Sequence, residues 1–310
     1  MVSGSTLTTG LNNISFFKVK LITKKLWHEI NAFLSGFWIF FTGNKAEKSA
    51  TKGQLFQLKF DNHKYYVERL KKLGINITSG EKYQRIEING NMYYWPLKAN
   101  LNSLFIILSE ALLLDHPHYY DSYSTQIRST DRVLDIGACE GAFCLHAAKK
   151  ASRVVAVEPS HIMTQAIKLA AEESNIKNMT FVSGFIGPKD GQLGFVENIN
   201  APEASKIVEK DNAVDFRQCW SLDSFIEEFF PDGIDYIKCD AEGADFEILK
   251  SGKISLEKYR PRIAVAAYHD QYDFHKMQNF LQSIGYSVNG QGLHYSAPLH
   301  KCYPVLLKAF

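Results

Sequence analysis

Residues 131–143 read DRVLDIGACEGAF, and residues 153–159 read RVVAVEP. The first run predicts a short buried strand, a tight turn between Gly137 and Gly141, and a helix. The second run predicts another buried strand, which ends at Glu158. Glu158 follows Gly141 by 17 positions, near the spacing at which an acid meets ribose hydroxyls in a βαβ nucleotide site. The pattern therefore predicts a nucleoside cofactor site.

The residues of the turn indicate which cofactor this is. A dinucleotide site needs the pattern G-x-G-x-x-G, and this turn has one glycine fewer, with the carboxylates of Asp135 and Glu140 at its mouth. Carboxylates repel a pyrophosphate but suit a sulfonium and an ammonium group. The stretch resembles motif I of the class I S-adenosylmethionine (SAM) methyltransferases, with Glu158 as the ribose acid. This resemblance implies SAM as the cofactor.

Composition and charge limit the cellular compartment and the kinds of site that fit this chain. The chain has 310 residues and a formal charge of +2, but its first 52 residues hold seven lysines and two glutamates, which leaves the remainder at −3. The five cysteines form no C-x-x-C pair, so we expect buried free thiols and neither disulfides nor zinc. Together with a start that lacks the order of a signal peptide, this predicts a cytoplasmic protein.

Residues 1–115 are expected to form an N-terminal extension. Its predicted elements are an amphipathic helix over 24–41, a polar linker over 43–53, a helix over 61–73, a hairpin over 83–95 with an Asn89-Gly90 turn, and an apolar helix over 101–114. Residues 116–118 read HPH, which we interpret as a loop and not as a metal ligand pair, because no third ligand is evident.

The segment 24–41 has two readings. Its apolar residues recur at helical spacing, and about 16 residues are too few for the ~20 that span a bilayer. One reading is a helix docked on the catalytic domain or on a second subunit. The other is an interfacial helix that holds the protein peripherally at a lipid surface through its aromatic residues and nearby lysines. Those lysines are Lys18, Lys20, Lys24, Lys25 and Lys45.

Residues 116–310 alternate strands and helices, which predicts an α/β fold with a doubly wound, Rossmann-like sheet of seven strands. Between residues 184 and 219 an insertion with two short strands, near 193–196 and 216–220, interrupts this alternation of strands and helices. Ligands bind beyond the carboxyl ends of the strands in such sheets. The residues expected there are Asp135, Glu158, Gly184, Asp240 and His269.

Three separated blocks resemble one methyltransferase family. Residues 222–225 read LDSF, residues 234–245 read IDYIKCDAEGAD, and residues 261–269 read PRIAVAAYH. In this order they are similar to the signature of FkbM-type SAM-dependent methyltransferases, over about residues 120–308. Two departures are Asp245, where a glutamate is usual, and the alanines before Tyr268, where many members keep a glutamate. The second departure concerns the acceptor side of the site.

The resemblance implies methyl transfer to oxygen, with a small-molecule, glycan or lipid-linked acceptor. Amino methyltransferases usually carry a Pro-Pro-aromatic turn after strand four, and this chain has none, so neither an amine nor a nucleic acid is expected. The candidates for the base that receives the hydroxyl proton are His269, Asp240 and Glu242. These residues could instead cap a helix or bind a divalent cation, and we assign no metal ligands.

For the cofactor, the residues around Gly137 are expected to meet the methionine portion, and the loop after strand three the adenine. The predicted contacts are Asp135, Gly137, Ala138, Glu140, Gly141, Glu158, Pro159, Gly184, Phe185 and Asp240. Two other classes of protein are an NAD(P)-dependent oxidoreductase, whose third glycine and Tyr-x-x-x-Lys dyad are missing, and a catalytically degenerate scaffold of the same fold. The sequence leaves self-association open.

Overall fold

A computed structural model describes residues 26–27, 29–51, 63–198, 200, 202, 205–208, 213, 215–269, 273–296 and 298–310. The predicted start of the first helix and four of its five lysines lie outside these residues.

The described residues of the N-terminal part form four helices and a three-stranded antiparallel sheet. In chain order these elements are α1 (residues 29–42), α2 (Lys45–Thr51), α3 (His63–Lys71), β1 (Ile75–Ser79), β2 (Tyr83–Ile88), β3 (Asn91–Pro96) and α4 (Leu101–Leu112). The helix predicted over 101–114 and the hairpin at Asn89-Gly90 are found. Helices α1 and α3 occupy the described parts of the segments predicted over 24–41 and 61–73, of which residues 24, 25, 28, 61 and 62 lie outside the described residues.

The second part alternates strands and helices. Its elements are β4 (Arg132–Ile136), α5 (Ala142–Ala148), β5 (Arg153–Val157), α6 (His161–Glu173), β6 (Met179–Val182), β7 (Phe185–Gly187), β8 (Gly191–Val196), β9 (Lys206–Val208), β10 (Asp215–Ser221), α7 (Leu222–Phe229), β11 (Tyr236–Cys239), α8 (Asp245–Ser251), α9 (Lys253–Tyr259), β12 (Arg262–Ala266), α10 (Asp273–Ser283), β13 (Val288–Ser296) and β14 (Lys301–Ala309).

Seven of these strands form one sheet in the order β13-β14-β12-β11-β4-β5-β6. The pairs from β12 through β11, β4 and β5 to β6 are parallel, whereas β14 runs antiparallel between β12 and β13. The strand order reverses between β4 and β11, which makes the carboxyl ends of these two strands the switch point where such sheets bind ligands. The predicted doubly wound, seven-stranded fold is confirmed.

The N-terminal elements pack against the central sheet. Leu70 of α3, Trp95 of β3 and Leu104 of α4 belong to the same buried cluster as Val133 of β4 and Phe143 of α5. A second cluster covers the opposite face of the sheet. Elements on both sides of residue 115, where the sequence places a domain boundary, therefore share one core.

Two parts of the chain differ from the predicted elements. The predicted linker 43–53 is wrong, because α2 occupies most of it. The backbone N–H of Asn44 donates to Glu47 and the N–H of Glu47 to Asn44, a reciprocal cap that the pattern N-x-x-E could have indicated. The described residues of the insertion form four strands in the order β7-β10-β8-β9, whereas the sequence predicts two. The strands β7 and β9 are not predicted because three residues are too few to show an alternation of apolar and polar side chains.

Helix α1 exposes six large apolar side chains, which are Ile30, Leu34, Phe37, Trp38, Phe40 and Phe41. No helix within the described residues reaches the length and hydropathy that crossing a bilayer requires.

Candidate active site

A cavity of about 510 Å³ opens beyond the carboxyl ends of β4, β5, β6 and β11. Its floor is the turn after β4, one wall is the four-stranded sheet of the insertion, and the other wall includes residues of α4. This size and position are typical of a small-molecule site in a doubly wound sheet.

The turn after β4 is tightly held. Gly137 has φ +72°, and a Cβ added to it would lie 2.1 Å from the carbonyl oxygen of Asp240. Its N–H and that of Ala138 both donate to the carbonyl of Val157 at 3.1 Å. Gly141, with φ +83°, starts α5 and packs against Ile167. Only glycine fits at Gly137, because both the backbone angle and the contact with Asp240 exclude a side chain.

Glu158 lies where the sequence predicts the ribose acid. Its carboxylate lines the cavity and accepts hydrogen bonds from the backbone N–H groups of Cys139 and Ser160, each at 2.9 Å. Burial raises the pKa of Glu158 to about 7. The two oxygens keep lone pairs for further donors, so the carboxylate is fixed in place and can still accept from ligand hydroxyls. Its neighbour Pro159 also lines the cavity.

Glu140 is a second carboxylate of the cavity lining. Its Oε1 accepts from the N–H of Ala142 at 3.4 Å, and its buried Oε2 has no hydrogen-bond partner among the described residues. Burial raises the pKa of Glu140 to about 7. A buried oxygen without a partner is costly, and a donor from a ligand would recover that cost.

Asp135 does not reach the mouth of the turn as the sequence predicts. It is fully buried behind the turn, with Oδ1 at 3.0 Å from Lys238 Nζ. Lys238 also donates to the carbonyl oxygens of Gly137, at 2.7 Å, and Ile136, at 3.3 Å. Burial opposes the charge on Lys238, but Asp135, Asp240 and Glu140 outweigh it and raise the pKa of the ammonium. Asp135 therefore supports the turn from below through Lys238.

The insertion forms an apolar wall of the cavity. Gly184 and Phe185, the predicted adenine contacts, both line it. Phe185 meets Phe195 edge-on, with ring centroids 5.6 Å apart, and a Cβ at Gly184 would lie 2.6 Å from the ring of Trp220. Ile186, Leu193 and Ile207 complete this wall.

The three predicted catalytic residues meet at the end of β11. Asp240 lines the cavity with a side chain that is 23% exposed, and its Oδ2 accepts from the hydroxyl of Tyr120 at 2.8 Å. The Nε2 of His269 lies 3.5 Å from Asp240 Oδ1 and 3.7 Å from Glu242 Oε2. Glu242 also lines the cavity but is 82% exposed.

His269 is held by Asp245. Its Nδ1 lies 3.1 Å from Asp245 Oδ2, and Asp245 also accepts from the N–H groups of Ala241, at 2.9 Å, and Gly243, at 3.2 Å. Burial disfavours the charged imidazole, but Asp245, Asp240 and Glu242 outweigh it and raise the pKa of His269 to about 9. The sequence argument for His269 as a base used its ordinary pKa. In this environment the ring is a cation at neutral pH, so its contribution there is positive charge beside Asp240.

Several residues of the site are absent from the predicted site residues. Tyr120 comes from the loop before β4, and Tyr268 follows β12; both line the cavity. The ring of Tyr268 stacks on His118 with centroids 4.8 Å apart, and His118 Nδ1 lies 3.1 Å from Glu110 Oε2 of α4. These contacts join residues far apart in the chain, so no local pattern could have found them.

The loop that carries Tyr120 is fixed from below. Lys308 of β14 is fully buried, and its Nζ donates to the carbonyl oxygens of Tyr119 and Tyr120. The hydroxyl of Tyr236 donates to the same Tyr120 carbonyl at 3.0 Å. Burial lowers the pKa of Lys308 well below its ordinary value. The loop predicted at residues 116–118 thus leads directly to Tyr120, whose side chain lines the cavity.

A search of the described ranges for three or more His, Cys, Asp or Glu side chains placed to hold a metal ion finds no such group.

The strand order, the glycine turn at the switch point and an acid at the end of the next strand define the fold of a class I methyltransferase. Residues 135–288 match the family model described as the methyltransferase FkbM domain. The chain therefore belongs to the FkbM methyltransferase family through this domain.

Solved structures with similar folds include several methyltransferases. Methyltransferase FkbM from Methylobacillus flagellatus has 16% identity and a TM-score of 0.44, over 84% of this chain and 66% of its own. Precorrin-6y C5,15-methyltransferase from Geobacter metallireducens has 16% identity and a TM-score of 0.37, over 60% and 84%. A putative methyltransferase from Streptococcus mutans in complex with SAH has 13% identity and a TM-score of 0.39, over 59% and 91%. The comparison with curated proteins found no match.

We expect Gly137→Ala to lower the free energy of unfolding by at least about 2 kcal/mol more than Gly74→Ala does. Both glycines have positive φ, but a Cβ at Gly74 meets nothing within 4 Å, so the difference isolates the collision with Asp240. Urea denaturation of both variants measures it. Equal costs would mean that the turn can move away from β11.

We expect His269→Gln to lower the melting temperature by roughly 4 °C at pH 6, as for a loss of about 1–2 kcal/mol, and to have little effect above pH 9.5. The folded pKa of His269 lies above the unfolded value. Its contribution to stability is therefore complete below about pH 6.5 and is lost as the pH rises through 9. Thermal melts across this range test the prediction. The same penalty at both ends would contradict a buried imidazolium.

Proposed function

We propose that the chain is a SAM-dependent O-methyltransferase that acts on a hydroxyl of a sugar, glycolipid or natural product. The observation that carries this proposal is the position of Asp240. It lines the cavity at the end of β11, between the hydroxyl of Tyr120 and the cationic ring of His269.

The donors and acceptors of the cavity fit SAM. Glu158 has free lone pairs where a ribose diol is expected, and the unpaired Oε2 of Glu140 suits a cationic ammonium or sulfonium. Close packing of the Gly137 turn brings bare backbone to the cavity floor, and the apolar wall around Phe185 suits a planar base. When bound, SAM would supply an electrophilic methyl group on a sulfonium.

The residues of this chain would prepare the acceptor. An alcohol is a poor nucleophile until its proton is drawn off as the new bond forms, and Asp240 is the carboxylate of the cavity best fixed to accept that proton. Tyr120 orients it, while His269 balances the negative charges of Asp240, Glu242 and Asp245. Alignment of the hydroxyl with the methyl group accounts for further rate enhancement.

The choice of oxygen over nitrogen rests on the end of β11. The acidic sequence there lacks the Pro-Pro-aromatic turn that cradles a planar amine, and two tyrosines, Tyr120 and Tyr268, line the cavity beside Asp240. Aromatic side chains with polar tips suit a glycan or a ring-containing metabolite.

Titration calorimetry tests the cofactor. We expect heat with SAM and none with NADH, and a roughly 10- to 100-fold loss of SAM affinity in Glu158→Ala, as for a lost hydrogen bond to a charged group. Glu227→Ala, at an exposed position of α7, is the matched control and should bind normally. Heat only with NADH would favour an oxidoreductase, and no heat with either ligand would favour the scaffold.

Turnover at saturating SAM tests the acceptor chemistry. With labelled methyl donor and a panel of sugars, glycolipids, natural products and amines, we expect transfer to hydroxyls and a 10²–10⁴-fold lower rate in Asp240→Asn. If the variant loses only SAM affinity, Asp240 serves the cofactor and has no part in proton transfer. Transfer to amines alone would contradict O-methylation.

A further inference from the structure

The outward face of α1 is an uninterrupted apolar surface. Trp38 on this helix is 69% exposed, and Trp27, which precedes the helix, is 64% exposed. At 3.6 residues per turn, the large exposed side chains fall within an arc on the order of 160°. They are Ile30, Leu34, Phe37, Trp38, Phe40 and Phe41.

The opposite face of α1 fixes this orientation. Ala32 is fully buried in a cluster with Leu293, Tyr295 and Cys302 of the β13–β14 hairpin. The N–H of Cys302 donates to the Ser35 hydroxyl at 2.7 Å. The helix is thus anchored by small residues, and its largest apolar side chains point away from the protein.

The anchor lies at the same edge of the sheet as the cavity. Ala266, the last residue of β12, pairs with Leu306, and the hairpin continues beyond this edge to the pair Ser296 with Lys301. In this extension, the ring of His294 lies 6.2 Å from that of Tyr268, which lines the cavity. The hairpin that anchors α1 therefore also contacts a residue of the cavity lining.

The charges around α1 indicate what covers this face. Residues 1–52 carry a formal +5, with four lysines before the helix and Lys45 and Lys48 immediately after it. Two copies of the chain joined through this face would bring two such segments together, which like charges oppose. A surface with negative charge and an apolar interior complements both the lysines and the aromatic side chains.

We propose that α1 binds the surface of an anionic lipid bilayer, lying in the plane of the headgroups. Its 14 helical residues extend for only about 21 Å, short of the ~30 Å hydrocarbon core, so it rests on the membrane. Tryptophan favours this interfacial depth. The proposal goes beyond methyl transfer and holds whatever the acceptor is.

Vesicle flotation of the full chain tests the proposal, with phosphatidylcholine vesicles that do or do not contain phosphatidylserine. We expect flotation with the anionic vesicles that weakens as salt is added, and at least a tenfold loss of the bound fraction in Trp38→Ser combined with Phe37→Ser. Ile254→Ser is the matched control, because Ile254 is an exposed apolar residue of a different helix, and it should float like the native chain.

Thermal melts establish that each variant is folded, and tryptophan quenching by brominated lipids gives a second measurement on the unmodified chain. Absence of both flotation and quenching would overturn the proposal. So would equal flotation of the Trp38 variant and the Ile254 control. Light scattering without lipid tests whether a second copy of the chain covers this face. If the native chain is a dimer that the Trp38 variant dissociates, and no lipid binding is seen, the face is assigned to a second copy.

Discussion

The contact on which the site depends is the buried ion pair between Lys238 and Asp135. A buried ammonium or carboxylate without a partner strongly destabilises the folded state, and in this pair each charge offsets the desolvation cost of the other. Because Lys238 also donates to the carbonyls of Ile136 and Gly137, the pair ties the end of β11 to the turn after β4. The two strands that flank the switch point are thereby fixed to each other, and the cavity floor has one shape.

Acidic side chains surround this pair. Glu140, Glu158, Asp240 and Glu242 line the cavity together with two lysines, Lys206 and Lys238, and His269 lies 3.5 Å from Asp240. This balance favours a cationic ligand over an anionic one, since a phosphate would meet carboxylates on both sides of the turn. The electrostatics of the folded site thus agree with the carboxylates that distinguish this turn from a dinucleotide fingerprint.

The sequence predicts the fold and the glycine turn followed by Glu158 because both depend on local patterns. The glycines, the short apolar strands and Glu158 lie within 29 residues, and their spacing reflects backbone geometry. The rest of the site depends on tertiary contacts. Neither the burial of Asp135, nor the cationic state of His269, nor the arrival of Tyr120 beside Asp240 follows from neighbours in the chain. The exposure of the apolar side of α1 also could not be predicted from the sequence, because a buried helix has the same spacing of apolar residues.

Lys308 makes one wall of the cavity depend on a strand that is distant in the sequence. It lies 188 positions after Tyr120, whose carbonyl it holds from within the sheet. β14 runs antiparallel between β12 and β13, so these two strands fix the position of Lys308. The hydroxyls of Thr125 and Tyr236 donate to the same carbonyl. A change that moves β14 therefore also moves one support of Tyr120 beside Asp240, whereas the turn after β4 is held by Lys238.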